Sequence, residues 1–383
     1  MTSGSAAPLT ARRLNGATLD RQLLLRRAPL DAVTAVRRIV AVQAQQAASP
    51  YLALWSRVAS FDPAELEVAF ADHAIVKAPL MRITLHAVHA DDYPAFHGAM
   101  VWSLRASRLN DARFRGTGLT VADADALLPH VTAFAGQPRT NAEFEALLEE
   151  RLGVLPKPGP WWALRTFASL VHAPTGGPWS FGTRPSYVVP RTEPSSAERD
   201  ASVRRLARRY LEGFGPASAP DLAQFTMLTR AVAREALHAQ ADELVRWEGP
   251  DGVELFDVPG APLPDEDTTA PPRLMAMWDS TLLAYADRSR IIPPGYRKVV
   301  TRNNGDVLPT LLVDGYVAGV WRPVEGGIEA TAFHRLSREA WQGLAAEAQA
   351  LVAFLAGREP TVYSRYGHWW KTLPAGEVRI LPG

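Results

Sequence analysis

The sequence predicts an α+β chain of three tandem helix-plus-hairpin sets, closed by a β-rich C-terminal segment. Three observations carry this. Capped helical segments run into short ribbon-forming stretches, residues 218–237 hold two short helices across a tight turn, and residues 297–321 alternate strand-forming runs with Asn-Gly and Asp-Gly. Helices followed by a hairpin are the order of a winged helix. The expected units are therefore 1–117, 118–195 and 196–270, followed by a β-meander and closing helix over 271–383.

In the first unit a helix is expected over 19–27. A second starts at Asp31, where Val33, Val36, Ile39 and Val40 form a stripe of helical spacing that must end soon after Gln43. Ser49-Pro50 and Asp62-Pro63 each join an N-cap residue to a first-turn proline and open two further helices. Residues 75–88, apolar and β-branched around Ala78-Pro79, read as a two-stranded ribbon. The second unit has helices over 121–128 and 141–152. A third carries Trp161, Trp162, Leu164, Phe167 and Leu170, and a Gly176-Gly177 turn follows before Trp179 and Phe181.

The third unit opens with an amphipathic helix over 201–214, broken by Gly215-Pro216. Ser218 and Asp221 then cap one short helix and Thr229 another. This is helix-turn-helix spacing, which an αα-hairpin remote from DNA also has. Residues 257–272, rich in proline and acid, form a linker or surface loop. Strands are expected over 297–302, 307–313 and 316–321, the middle one an edge or bulged strand because of Pro309. A helix over 338–356 and an extended tail at 377–381 close the chain.

Composition narrows the chemistry. Without cysteine there is no disulfide, thiol nucleophile, thiolate zinc site or iron–sulfur cluster. Net charge is +1, but the charges are segregated: residues 273–302 hold six basic against two acidic side chains, and residues 235–267 hold ten acidic and only Arg246. Such segregation permits one basic face on a near-neutral protein. No signal-peptide run or apolar stretch of membrane-spanning length is present, so a cytoplasmic, nucleoid-associated protein is expected.

The residues singled out for chemistry are Gln43 and Gln45. Side chains two apart on a helix diverge, so both amides line one cleft only if the backbone leaves helical geometry there, as the expected helix end supplies. Neutral amides orient water and hydrogen-bond a base or sugar without carrying charge. Glutamines at a helix end are equally at home on a surface or in a cap. Arg82, Thr84 and His86 alternate along an expected strand and so share a face. A histidine satisfied in the interior is the plainer reading of His86. His86, His89, Asp91 and Asp92 match no familiar zinc spacing, and no metal is expected. Trp161, Trp162 and Trp179 have rings able to stack on a base, with core packing favoured for the first two.

The run Ala41-Val42-Gln43-Ala44-Gln45 resembles the Gln-apolar-Gln motif of the AlkZ-like DNA glycosylases, and Arg82-Ile83-Thr84-Leu85-His86 resembles the segment that follows it in that family. Residues 210–221, then Asp279, Tyr285, Asp287, Arg288 and Ser289, then Asn304-Gly305, Pro309-Thr310 and Val313-Asp314-Gly315 continue the likeness in the family's order. One departure stands out: Met275-Ala276-Met277-Trp278 replaces a leucine-proline-x-phenylalanine stretch.

The resemblance implies three winged-helix units around a concave basic channel with Gln43 and Gln45 as the catalytic pair. Glutamine rather than aspartate at position 45 separates the chain from the YcaQ-like branch. The implied activity is monofunctional hydrolysis of the N-glycosidic bond of N7-alkylated purines, including bulky antibiotic adducts or interstrand crosslinks, in repair or self-resistance. Arg82, Thr84, His86, Trp179, Arg288, Arg290, Arg297 and Lys298 are expected to bind DNA or lesion. A monomer acting on double-stranded DNA, without cofactor or membrane, follows. The alternatives are a non-enzymatic winged-helix regulator and a drug-sequestering resistance protein.

Overall fold

The computed structural model describes residues 7–154, 156–193 and 198–382. Helix α1 (Ala11–Arg21) starts at a Thr10 cap whose hydroxyl accepts from Arg13 N. It replaces the helix expected over 19–27, because its inward face is largely polar. Asn15, Thr18 and Arg21 are buried there, bonded to Arg290 O, Tyr285 and Asp257 respectively, so an apolar period does not reveal the helix. Then follow α2 (Ala32–Ile39), β1 (Val42–Gln43), α3 (Ser49–Trp55), α4 (Pro63–Ala71), β2 (Ile75–Pro79) and β3 (Leu85–His89). Asp62 caps α4 as expected. Ser49, expected as a cap, lies inside α3: its hydroxyl donates to Met277 O and pairs with the Tyr363 hydroxyl.

Next come α5 (Tyr93–Leu109), α6 (Ala112–Arg115), α7 (Val121–Phe134), β4 (Arg139–Thr140), α8 (Asn141–Leu152), α9 (Pro160–Phe167), β5 (Val171–Ala173) and β6 (Ser186–Val188). Reciprocal capping boxes, Thr120 with Asp123 and Thr140 with Glu143, fix the starts of α7 and α8. The third set has α10 (Arg199–Phe214), α11 (Ala219–Thr226), α12 (Arg230–His238) and a hairpin of β7 (Val245–Glu248) and β8 (Glu254–Asp257). Ser218 and Asp221 form the capping box of α11, and Thr229 caps α12.

The remainder is β9 (Arg273–Leu274), α13 (Arg297–Val300), β10 (Thr310–Val313), β11 (Tyr316–Val324), β12 (Gly327–Ala332), α14 (Arg338–Ala356) and β13 (Glu377–Pro382). Residues 297–300 are a helical turn rather than the expected strand: Val300 alone is buried there, and only Thr301 bridges to Val307. Pro309 precedes β10 instead of sitting inside it. That strand is interior to its sheet, with an irregular register at Leu311/Leu312. Asp314-Gly315 makes the expected tight turn, with φ of 46° and 81°.

The hairpins of the first two sets merge into one six-stranded sheet, β1-β3-β2-β5-β6-β4, and the C-terminal strands form a five-stranded sheet, β13-β12-β11-β10-β9. One core cluster joins α2, α3 and α4 to the five-stranded sheet and α14; the other joins α5, α7–α10 and the helix-turn-helix. Two buried bidentate ion pairs tie the N-terminal helices to distant chain: Arg21 to Asp257 at 2.7 Å, and Arg57 to Asp279 at 2.8 and 2.9 Å. Among the described residues no helix is long and apolar enough to cross a membrane.

Candidate active site

The site begins where α2 ends. Val40 has φ 75° and ψ −54°, and Ala41 N donates to Ile39 O at 2.9 Å, which is a positive-φ γ-turn, strained for a β-branched residue. Two neighbours stabilise it. Gln22 Nε2 donates to Ile39 O at 3.3 Å and to Gly213 O at 2.8 Å, and Gly213 on α10 leaves room for the Val40 side chain. The helix thus ends four residues before Gln43, and the chain continues extended as β1, where Val42 pairs with Ala87 and Gln43 with His86.

Gln43 is 1% exposed, whereas Gln45 is exposed. Gln43 Oε1 accepts from Gln45 N at 2.9 Å, so the first glutamine holds the backbone of the second. Gln45 Oε1 in turn receives Leu85 N at 3.4 Å. The Gln43 Nε2 amide is buried without a protein partner and faces a narrow cavity shared with Ser49, Arg57, Asp279 and Ser280. Asp279 has both oxygens on Arg57, which leaves no free carboxylate at that wall. Gln46 extends the pair: its Nε2 donates to the Tyr366 hydroxyl at 2.8 Å.

Arg82 lies in a 3-10 turn before β3 at φ 54°, not on the strand, so the expected shared face of Arg82, Thr84 and His86 does not form. Thr84 closes that turn by donating to Met81 O. His86 is fully buried; burial, then the Arg82 charge, lowers its pKa to about 3, so it is neutral and its Nε2 lacks a protein partner. The Arg82 guanidinium sits 5.3 Å from the centre of the Phe225 ring with both terminal nitrogens unpartnered. Burial, with Arg288 beside it, brings its pKa down to about 9, still cationic at neutral pH. Arg288 donates to Thr301 and is itself affected by Arg297. Arg82, Arg288 and Arg297 thus form a file of cations for which no carboxylate lies within ion-pair distance among the described residues, and Lys298 is exposed next to it. The exposed Arg297 and Lys298 suit a polyanion, whereas the terminal nitrogens of Arg82 are buried behind them.

Two expected contact residues are otherwise engaged. Trp179 is 4% exposed, packed with its ring tilted against Tyr51 and bonded through Nε1 to Glu359, so its ring is not offered for intercalation. Arg290 is largely buried, 4.0 Å from the Tyr285 ring centre, and donates to Pro216 O, which makes it a tie between elements. Trp161 stacks on Phe144 in the core, as expected.

Lys77 adds a constraint. Buried and over the Phe181 ring at 4.2 Å, it has its pKa lowered by burial to about 8, as an amine nucleophile requires. It pairs with Ala87 and His172, whereas Gln43 pairs with His86, so Lys77 and Gln43 project to opposite faces of the sheet. Sequence reasoning missed Gln22, Gln46, Gly213 and Tyr366. Only Gln46, adjacent to the motif, carried a local signal.

The sequence model of a family described as DNA glycosylase AlkZ-like matches residues 36–354. An interstrand DNA cross-link repair glycosylase from Streptomyces sahachiroi is 26% identical over 342 residues, covering 82% of this chain and 88% of that protein. The solved structure of the Streptomyces sahachiroi DNA glycosylase AlkZ superposes with a TM-score of 0.77 at 23% identity, covering 92% of this chain and 98% of that one.

Proposed function

The chain belongs to the AlkZ-like family of DNA glycosylases, and from that premise we propose that it hydrolyses the N-glycosidic bond of N7-alkylated purines in double-stranded DNA, bulky antibiotic adducts and interstrand crosslinks included. The observation that carries this reading is the Gln43–Gln45 arrangement: one amide buried and holding the other at the surface, with Asp279, the carboxylate lining the cavity beside Gln43, fully engaged by Arg57. Alkylation at N7 makes the purine cationic and already a good leaving group, so a strong general acid is unnecessary. What remains is to place a water at the anomeric carbon and stabilise developing positive charge, for which oriented amide dipoles suffice.

In this reading Gln45 orients the water and Gln43 positions Gln45, while Arg82, Arg288, Arg297 and Lys298 attract the phosphates. Lys77, on the other face of the sheet, takes no part, and a monofunctional enzyme follows. The proposal extends to a monomer working at the nucleoid, with units 1–117, 118–195 and 196–270 lining a concave channel. The test is single-turnover release of base from duplexes carrying N7-methylguanine or a bulkier N7-alkylguanine, with Gln43→Ala and Gln45→Ala in parallel. Release by the natural protein, lost in both variants with DNA binding retained, is the expected result. Equal release by the variants would remove the glutamines from the chemical step, and no release by the natural protein from either lesion would overturn the substrate assignment.

A further inference from the structure

Residues Ser364–Thr372 form a 3-10 helical segment of which the site above uses only Tyr366. With three residues per turn, side chains three apart fall on one line, and the segment sorts cleanly by that period. Tyr366, Trp369 and Thr372 make the inner line. Tyr366 receives Gln46 Nε2 and packs edge-on against Trp278 at 5.3 Å. Trp369 Nε1 donates to Asp306 Oδ2 at 2.8 Å, and its ring lies 4.4 Å from the Arg302 guanidinium, which also donates to Thr372. The inner line therefore seats the segment on the catalytic loop at one end and on the Asn304-Gly305 turn at the other.

Arg365, His368 and Lys371 make the outer line, and all three are exposed, although the Arg365 guanidinium leans back 4.7 Å from the Tyr366 ring centre and donates to its hydroxyl. Among the described residues none of them meets a carboxylate, although the neighbouring Arg358 and Arg379 both do. A surface cation without a counter-ion is common; Arg365 and Lys371 on one line with His368 between them, fixed by a buried tyrosine to the residue next to the glutamine pair, form a built ridge. At about 2.0 Å rise per residue Arg365 and Lys371 stand about 12 Å apart, far enough to reach different phosphates of one strand. Arg302, at the foot of the segment, follows Thr301, the acceptor for Arg288. The Arg302–Thr372 contact therefore ties the foot of the ridge to the segment that carries Arg297 and Thr301, the partner of Arg288.

We propose that Arg365, His368 and Lys371 bind the phosphate backbone of one DNA strand beside the damaged nucleotide, and that the Gln46–Tyr366 bond couples this grip to the position of the glutamine pair. The inference rests on the DNA-glycosylase reading, and the test keeps the two apart. Binding of an undamaged, fluorescently labelled duplex is titrated across salt for the natural protein, Arg365→Ala/Lys371→Ala, Lys371→Glu and the conservative Arg365→Lys/Lys371→Arg. Each lost phosphate contact removes about 0.9 from the slope of log K against log salt, so the double alanine variant is expected to lose about 2 and to bind about tenfold more weakly at low salt. Lys371→Glu loses at least as much as one contact, and the conservative variant keeps the natural slope. An unchanged slope in both the double alanine and the charge-reversed proteins, with melting temperature unchanged, would overturn the ridge. Base release by the natural protein is measured in the same preparation, so a failure of the ridge with release intact leaves the glycosylase reading standing.

Discussion

Gly213→Ala is expected to disable the enzyme from a position that bonds to neither Gln43 nor Gln45. A Cβ there lies 2.6 Å from Val40 Cγ2, against about 3.5–4.0 Å for an ordinary carbon–carbon contact, so one partner must move by about 1 Å. Val40 is fully buried and stiff at χ1, and its γ-turn has no slack. The movement therefore passes along the chain to β1 and Gln43. Overpacking of this kind costs about 1–3 kcal/mol of stability. A misplacement of about 1 Å at a reacting group costs about 10²-fold in rate, or about 2.7 kcal/mol of barrier. Single-turnover base release at saturating enzyme reads the rate, anisotropy reads DNA binding, and thermal melting reads stability. Release slowed by about two orders of magnitude, with binding within about threefold of natural, is the expected pattern. Val40→Ala in the same chain removes the colliding methyl and is expected to recover part of the rate, a coupling two independent sites would not show. Full-speed release by Gly213→Ala with unchanged melting would refute the idea that this turn sets the position of Gln43.

Arg57→Met strands Asp279 as a buried, unpaired carboxylate, and the urea midpoint is expected to fall by the equivalent of about 3–5 kcal/mol; a loss below about 1 kcal/mol would show that the pair is not desolvated as its burial implies. Lys77→Met is expected to release base at the natural rate, and borohydride to trap no covalent DNA complex with the natural protein; a trapped complex abolished by the substitution would reinstate a Schiff-base route. His86 and His97 have folded pKa values near 3 and 4, below the ordinary 6.5, because burial disfavours the charged ring. The unfolded chain therefore binds the extra protons. Stability is full above about pH 6.5 and declines below it, by about 2 kcal/mol per histidine on reaching pH 5. Melting temperatures flat across that interval would contradict the neutral, buried assignment.

Capping chemistry made much of the helical framework legible. Thr229, Ser218 with Asp221, and Asp62 with Pro63 open helices where the sequence places them, and the helix expected over 338–356 is α14. A departure from helix near the glutamines was readable, but it comes at Ile39 rather than soon after Gln43, because the γ-turn at Val40 depends on Gln22 and Gly213, which no local pattern encodes. Misreadings follow one pattern, in which a distant partner decides a local outcome. Polar α1 is inward because Tyr285 and Asp257 await it; Trp179 is buried because Glu359 accepts from it. The hairpins of the first two sets share a sheet through a single pairing of Lys77 with His172, which no local period encodes. Residues 364–372 went unread because a three-residue period looks like neither helix nor strand.

The core that encloses α2, α3 and α4 is completed by residues from 274 onward. On a ribosome, which works from the N-terminus, the stretch between Ala87 and Leu274 takes roughly 10–40 s to emerge at about 5–20 residues per second. For that interval the segment bearing Gln43 and Gln45 has been made but lacks the wall it packs against. A chain cut short before the C-terminal sheet lacks that wall, and it also lacks Ala284 and Tyr285, which complete the core around α10 and α11. Full-length translation is thus a built-in condition for enclosing the glutamine-bearing segment.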